Sequence, residues 1–195
     1  HLLSFGMDYL WRRRLGRQVA AMNPSRVLDL ATGSGDVAFF LREVLPLETE
    51  IIGLDFCQPM LDQAKRKAAS KGSPANLRVL RGDCVELPFE DASFEALTIA
   101  FGLRNVEDRE RGLAEMLRVL RPDGDLVVLE FSQPAFWLRP FYYPYLRGCL
   151  PVLAWLLTRD RKAYQYLGSS ISGFPDRSGL ADELSAAGFA KVRST

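Results

Sequence analysis

Short apolar runs alternate along the chain with stretches in which apolar residues recur at helical spacing. Arg26-Val-Leu-Asp-Leu30 predicts a buried strand, Glu50-Ile-Ile-Gly-Leu-Asp55 a second and Leu77-Arg-Val-Leu80 a third. Ala96-Leu-Thr-Ile-Ala100 predicts a fourth, and Asp125 to Phe131 a fifth after a turn at Pro122-Asp-Gly124. Between them Val37, Phe40, Leu41 and Leu45 fall at helical spacing, as do Met60, Leu61, Ala64 and Ala68 after Pro59, and Leu113, Met116, Leu117 and Leu120 within Asp108 to Leu120. Near-continuous apolar strands alternating with helices predict an α/β fold. Its sheet is mostly parallel and twisted, with helices on both faces. Lys65, Arg66, Lys67 and Lys71 crowd the polar side of the helix opened by Pro59, where a solvated face is expected.

The segment from Gln133 to Arg161 breaks the rhythm. Pro134, Pro140, Pro144 and Pro151 interrupt any single long helix, and the aromatic residues Phe136, Trp137, Phe141, Tyr142, Tyr143, Tyr145 and Trp155 crowd the same stretch. Two readings stand: a packed helical extension, or an aromatic-rich helical lid over an apolar substrate pocket. The whole is expected to form one domain: residues 1–25 an N-terminal helical segment, 26–132 the core, 133–178 the helical insertion, and 179–195 a final helix with the start of the last strands. The chain begins at His1 and stops in a polar–apolar alternation at Thr195, as expected of a longer protein trimmed at both ends.

Composition narrows the chemistry. Twenty-five basic residues against 24 acidic give a net charge of +1, which offers no bulk electrostatic case for nucleic acid. Cys57, Cys84 and Cys149 form no C-x-x-C pair, and the single histidine is His1, so a metal site has almost no ligands to draw on. Free thiols suit a reducing, cytoplasmic setting. The most apolar stretch, Gly148 to Leu157, is interrupted by Pro151 and is about half the roughly twenty residues a membrane span needs.

The strongest local signal is Asp29-Leu-Ala-Thr-Gly33-Ser-Gly35-Asp36, directly after the first strand. Gly33 and Gly35 allow a tight turn and a close approach to a ligand, and the following helix points free N–H groups into the same space. Asp55 ends the second strand, where a carboxylate can accept hydrogen bonds from the hydroxyls of an adenosine ribose. Gly33-Ser-Gly35-Asp-Val-Ala38 also fits the dinucleotide pattern G-x-G-x-x-A, so a nicotinamide enzyme competes. Asp29 argues against it: a carboxylate there repels a pyrophosphate but pairs with the ammonium of an amino-acid tail. Asp83, after the third strand, can accept a hydrogen bond from an adenine amino group. Together these residues suit S-adenosylmethionine. The structural alternatives are a strand-end turn residue for Asp29 and a turn or helix cap for Asp83.

These residues, with further blocks in order along nearly the whole chain, resemble the ubiquinone/menaquinone biosynthesis C-methyltransferases, a branch of the class I methyltransferases with a Rossmann-like fold. The blocks are Leu3-Ser4-Phe5-Gly6 with Trp11, Asp29 to Asp36, Phe101-Gly-Leu-Arg-Asn-Val106, Arg118-Val-Leu-Arg-Pro-Asp-Gly124, Leu129-Glu-Phe-Ser132, and Tyr164-Gln-Tyr-Leu-Gly-Ser-Ser-Ile171 with Phe174-Pro175. Phe101 to Val106 is the most discriminating. The chain departs from the common pattern with Asp8 in place of His and Ala100 in place of Ser.

The resemblance implies cofactor positions at Ser34, Asp55, Asp83, Cys84 and Ala100, with Cys84 contributing its backbone. It implies S-adenosylmethionine-dependent C-methylation of a polyprenyl quinol, most directly demethylmenaquinol. The alternatives are the methoxybenzoquinol precursor of ubiquinone, another small-molecule O- or N-methyltransferase, and a non-catalytic binding protein of the same fold. Arg104, with Asn105 beside it, is the candidate to stabilise a quinol phenolate, since its pKa is too high for a general base; the alternative is an arginine that ties its loop to a carboxylate. Peripheral contact with the inner face of the membrane, no nucleic-acid partner and a homodimer complete the expectation.

Overall fold

A computed structural model describes residues 7–131 and 173–193. The chain forms two compact units, 1–130 and 131–195. In the first, helix α1 (Met7–Met22) leads into strand β1 (Arg26–Leu30), α2 (Asp36–Val44), β2 (Glu50–Asp55), α3 (Gln58–Ser70), β3 (Leu77–Arg81) and β4 (Phe94–Ala100). A 3-10 turn (Leu103–Asn105), α4 (Arg109–Val119) and β5 (Leu120–Leu129) follow. The sheet runs β3-β2-β1-β4-β5 with every pairing parallel. In the second unit, α5 (Arg177–Ala186) begins at Asp176, whose carboxylate caps the Gly179 N–H at 3.0 Å. Residues 191–193, where a strand was expected to start, take no strand conformation.

The apolar runs end up where their patterns predict. Val27, Leu28, Leu30, Ile51, Ile52, Leu54, Leu97 and Ile99 are fully buried, as strands covered on both faces require. On α2 the core residue is Phe39 rather than the expected Phe40. Phe40 lies instead against Gly16 of α1, where any side chain would collide with its ring.

The end of α4 also differs. Periodicity carries the helix through Leu120, but Leu120 has extended backbone and already pairs with Phe94 of β4. Asp125 pairs with Ala96, so the expected Pro122-Asp-Gly124 turn is a bulge inside β5 opposite Glu95. Gly124 is needed there because a Cβ would come within 2.8 Å of the Glu95 carbonyl.

At the N-terminal edge of the strands, charges alternate across the sheet. Arg78 meets Glu50 at 2.6 Å, and Glu50 meets Arg26 at 2.6 Å. The Arg26 N–H donates to Glu95 at 2.8 Å, and Glu95 meets Arg121 at 2.8 Å. One residue from each of the five strands takes part, leaving the opposite, C-terminal edge for the site. A depression of about 310 Å³ lined by Met22, Asn23, Pro24, Arg121 and Gly124 lies at the charged edge, away from the predicted residues.

Candidate functional site

The loop between β1 and α2 is fixed residue by residue. Ala31 and Gly33 both have positive φ, 49° and 56°, and Gly35 follows at 80°. Alanine in the left-handed region is strained, a feature that gathers at ligand sites. The Thr32 N–H donates to Leu54 of β2 at 3.0 Å, and the Gly33 N–H donates to the Asp55 carboxylate at 2.7 Å. The other Asp55 oxygen accepts from the Cys57 N–H at 2.8 Å. Asp55 therefore stands at the C-terminal end of β2, its carboxylate directed at the Gly-rich loop.

Asp29 lies deeper than its sequence position suggests. Only 1% of it is exposed. One carboxylate oxygen accepts from the Thr32 hydroxyl and the other from the Thr98 hydroxyl of β4, both at 2.6 Å. The side chain expected to meet an ammonium group is enclosed within the sheet, joining the loop to β4. Burial pushes its carboxyl up to about 6, against the two threonine hydrogen bonds that favour the charged form, and the Asp55 carboxylate adds repulsion. Gly53, paired with Asp29 across β1 and β2, leaves room for Thr32: a Cβ there would lie 2.9 Å from its hydroxyl.

The other predicted positions gather at the same edge. Asp83 is exposed in a turn after β3, where its carboxylate accepts from the Val85 N–H at 3.1 Å, the turn geometry anticipated as its alternative. Cys84 is buried, and burial, reinforced by the Asp83 charge, pushes its thiol up to about 11. Such a thiol is inert as a nucleophile. Ala100 closes β4, and Phe101 follows with φ 58°, its N–H held by the Leu129 carbonyl at 2.7 Å. Gly102 has no room for a side chain, because a Cβ would stand 2.4 Å from that of Ala31. Strained residues therefore follow two neighbouring strands, and the loops they begin touch.

Arg104 sits on the 3-10 turn with its guanidinium against the Glu130 carboxylate, the side chains 10% and 3% exposed. The Arg104 N–H also donates to Glu130, at 3.3 Å. This is the loop-tying geometry, joining the segment after β4 to the residue after β5. Asn105 is exposed beside it.

Three residues at this edge were not singled out from the sequence as site residues. Glu130 lay within a matching block, but its pairing with Arg104 across 26 positions is invisible locally. Phe56 follows Asp55 directly and is 66% exposed, an aromatic surface beside the ribose-type carboxylate. An apolar residue between an acidic strand end and a helix was its only signal. Lys67, assigned to a solvated face, donates to Ser34 at 2.8 Å and to Asp36 at 2.5 Å, and Lys71 pairs with Glu43 at 2.9 Å. Two of those four cations are thus tied to α2 and the loop before it.

Comparison with known proteins agrees with this architecture. The profile of the ubiE/COQ5 methyltransferase family matches residues 1–195. The chain is 47% identical over 191 residues to the demethylmenaquinone methyltransferase of Thermus thermophilus, covering 96% of this chain and 84% of that one. It is 40% identical over 189 residues to the ubiquinone/menaquinone biosynthesis C-methyltransferase UbiE of Geotalea daltonii, covering 96% and 80%. Among solved structures, the YcgJ protein of Bacillus subtilis superposes with a TM-score of 0.68 at 24% identity, covering 92% of this chain and 68% of that one, a likeness of fold. The chain belongs to the ubiE/COQ5 methyltransferase family.

Proposed function

We propose that this protein transfers a methyl group from S-adenosylmethionine to a ring carbon of a polyprenyl quinol, with demethylmenaquinol as the substrate. The observation that carries the cofactor reading is the pair of carboxylates, Asp29 and Asp55, on either side of the Thr32–Gly33 backbone. Asp29 accepts from the Thr32 hydroxyl and Asp55 from the Gly33 N–H, so both place negative charge against the loop. A pyrophosphate would meet the Asp29 charge there, which disfavours the dinucleotide reading of Gly33 to Ala38, whereas a carboxylate at Asp55 suits the ribose of either ligand. A ligand carrying an ammonium and a sulfonium is attracted. The substrate reading is supported by the demethylmenaquinone methyltransferase from Thermus thermophilus, whose likeness spans nearly the full chain. The UbiE relative keeps the methoxybenzoquinol precursor of ubiquinone as the second reading.

When bound, S-adenosylmethionine supplies an electrophilic methyl group, so the protein's own task is to hold and align. Gly33 and Gly35 let the backbone approach the ligand. Asp55 accepts from ribose hydroxyls, and Phe56 covers the adenine. Asp83 and the Cys84 backbone flank the same base, and Ala100 contributes its backbone. Asp29 acts through Thr32 and Thr98 as a positioning group, its charge felt at the loop rather than through contact. Arg104, held in place by Glu130, supplies positive charge to a quinol phenolate, and Asn105 adds a polar group beside it.

The aromatic segment proposed as a lid, including Trp137 and Phe141, lies outside the described residues. A lipid substrate fits peripheral attachment at a membrane surface. Among the described residues no helix is long and apolar enough to cross a membrane. Assembly as a homodimer belongs to the same proposal, with sedimentation as its measure.

The deciding experiment supplies the purified protein with S-adenosylmethionine and, separately, the two demethylated quinols. Methylation of demethylmenaquinol supports the reading. Exclusive turnover of the methoxybenzoquinol moves the protein to the ubiquinone reaction, and turnover of neither ends the quinol assignment.

A further inference from the structure

One stripe of α3 runs along the cofactor loop. Met60, Ala64 and Lys67 are spaced four and three residues apart, which puts them on one helix face. A Cβ on Gly33 would meet the Met60 methyl at 3.3 Å, and a Cβ on Gly35 would meet that of Ala64 at 3.3 Å. The stripe continues with Lys67, whose ammonium donates to the Ser34 hydroxyl at 2.8 Å and to the Asp36 carboxylate at 2.5 Å. The other Asp36 oxygen receives Arg12 of α1 at 3.3 Å. The loop is thus gripped by different elements in turn: Thr32 by β1, Gly33 by β2, Ser34 by α3, and Asp36 by α3 and α1.

From this arrangement we infer that Lys67 is a positioning residue for cofactor binding, a clasp that sets the loop through Ser34 and Asp36. Its ammonium does two things. It fixes the Ser34 side chain at a loop position the cofactor uses. It also pairs with Asp36 at the first turn of α2, alongside Arg12, and so holds the start of that helix against the loop. The grip is half exposed, at 41% for Lys67 and 35% for Asp36, so its contribution to global stability is small. Its effect falls on the loop's ligand-ready conformation, because an ordered loop does not have to be ordered by the ligand. One helix links the clasp to Asp55: α3 starts just after Asp55 and Cys57 and carries Lys67 in its last turn.

This rests on S-adenosylmethionine as the ligand but not on the identity of the methyl acceptor, so its binding test needs no quinol and its turnover test uses whichever quinol is methylated. Calorimetric titration with S-adenosylmethionine compares the native protein with Lys67→Met, Lys67→Arg and Ser34→Ala. The clasp predicts that Lys67→Met weakens binding on the order of fivefold, the effect of losing a pair of this exposure. The melting temperature stays at the native value, Lys67→Arg retains affinity, and Ser34→Ala loses only part of it. Raising the salt concentration narrows the gap between native and Lys67→Met. In turnover assays the KM for S-adenosylmethionine rises while kcat at saturating cofactor is kept. The charge exchange Asp36→Lys with Lys67→Asp recovers affinity lost by Lys67→Asp alone. Native affinity in Lys67→Met, a fall in kcat at unchanged KM, or an exchange that recovers nothing overturns the clasp. A native protein that binds no S-adenosylmethionine overturns the cofactor reading itself.

Discussion

The Thr98 hydroxyl on β4 donates a hydrogen bond to the Asp29 carboxylate on β1 at 2.6 Å, and both residues are buried within the sheet. With Thr32 on the other oxygen, this bond joins two neighbouring strands to the Gly-rich loop proposed to receive the cofactor. A buried carboxylate held by neutral groups alone costs free energy when charged, and that cost is readable in the pH dependence of stability.

Burial places the Asp29 carboxyl at about 6, above its ordinary 3.8. Above pH 6 it is ionised in both the folded and unfolded states, and the fold bears the full cost. Below about 4 it is neutral in both, and the cost is gone. This group therefore makes the fold more stable as pH falls from 6 to 4, by on the order of 3 kcal/mol. Denaturant titrations of native protein and Asp29→Asn at pH 7 and pH 4 isolate it from other carboxylates. The native protein should gain on the variant by that amount as pH is lowered. A difference independent of pH would place the Asp29 carboxyl at its ordinary value.

Asp55 organises the loop through Gly33 and the start of α3 through Cys57. Asp55→Ala should weaken S-adenosylmethionine binding by about 1.5–3 kcal/mol, the loss expected for hydrogen bonds to a charged group. Calorimetry on the folded variant checks it. Unchanged affinity would remove Asp55 from the site.

The Arg104–Glu130 pair is nearly buried, so Arg104→Ala takes a charge partner from Glu130 where water replaces it poorly. Arg104→Ala should destabilise the fold by about 3–5 kcal/mol. If the guanidinium also stabilises a phenolate, turnover should fall on the order of 10²–10³-fold at temperatures where the variant is folded, with cofactor affinity unchanged. Normal turnover in that folded variant would leave Arg104 with its loop-tying role alone.

The two described cysteines should differ sharply toward alkylation. Cys84 is buried with its thiol pushed up to about 11, whereas Cys57 is partly exposed at the start of α3. Iodoacetamide at pH 8 followed by peptide mapping should show Cys57 modified well before Cys84 in the native protein, the order collapsing in denaturant. Equal rates in the native state would contradict the burial of Cys84.

What local pattern could carry, it carried. The bounds of β1 and β2 coincide with the apolar runs Arg26–Leu30 and Glu50–Asp55, because a strand covered on both faces must be apolar along its length. The tight turn at Gly33 and Gly35 and the strand end at Asp55 were legible because each is specified by a few adjacent residues. The family was legible from blocks spread over the chain, Phe101 to Val106 above all.

Tertiary structure decided whatever depends on residues far apart in sequence. Sequence placed Asp29 at the rim; the hydroxyl of Thr98, 69 positions away, shows it enclosed between β1 and β4. Sequence put Lys67 in solvent; Asp36, 31 positions earlier, draws it onto the loop. Sequence left Arg104 either to stabilise a phenolate or to tie its loop to an unnamed carboxylate; Glu130, 26 positions later, is that carboxylate. Hydrophobic periodicity reports only which face of an element is covered, whereas the partner of a charge is chosen by the crossovers of a parallel sheet, which set distant strand ends side by side.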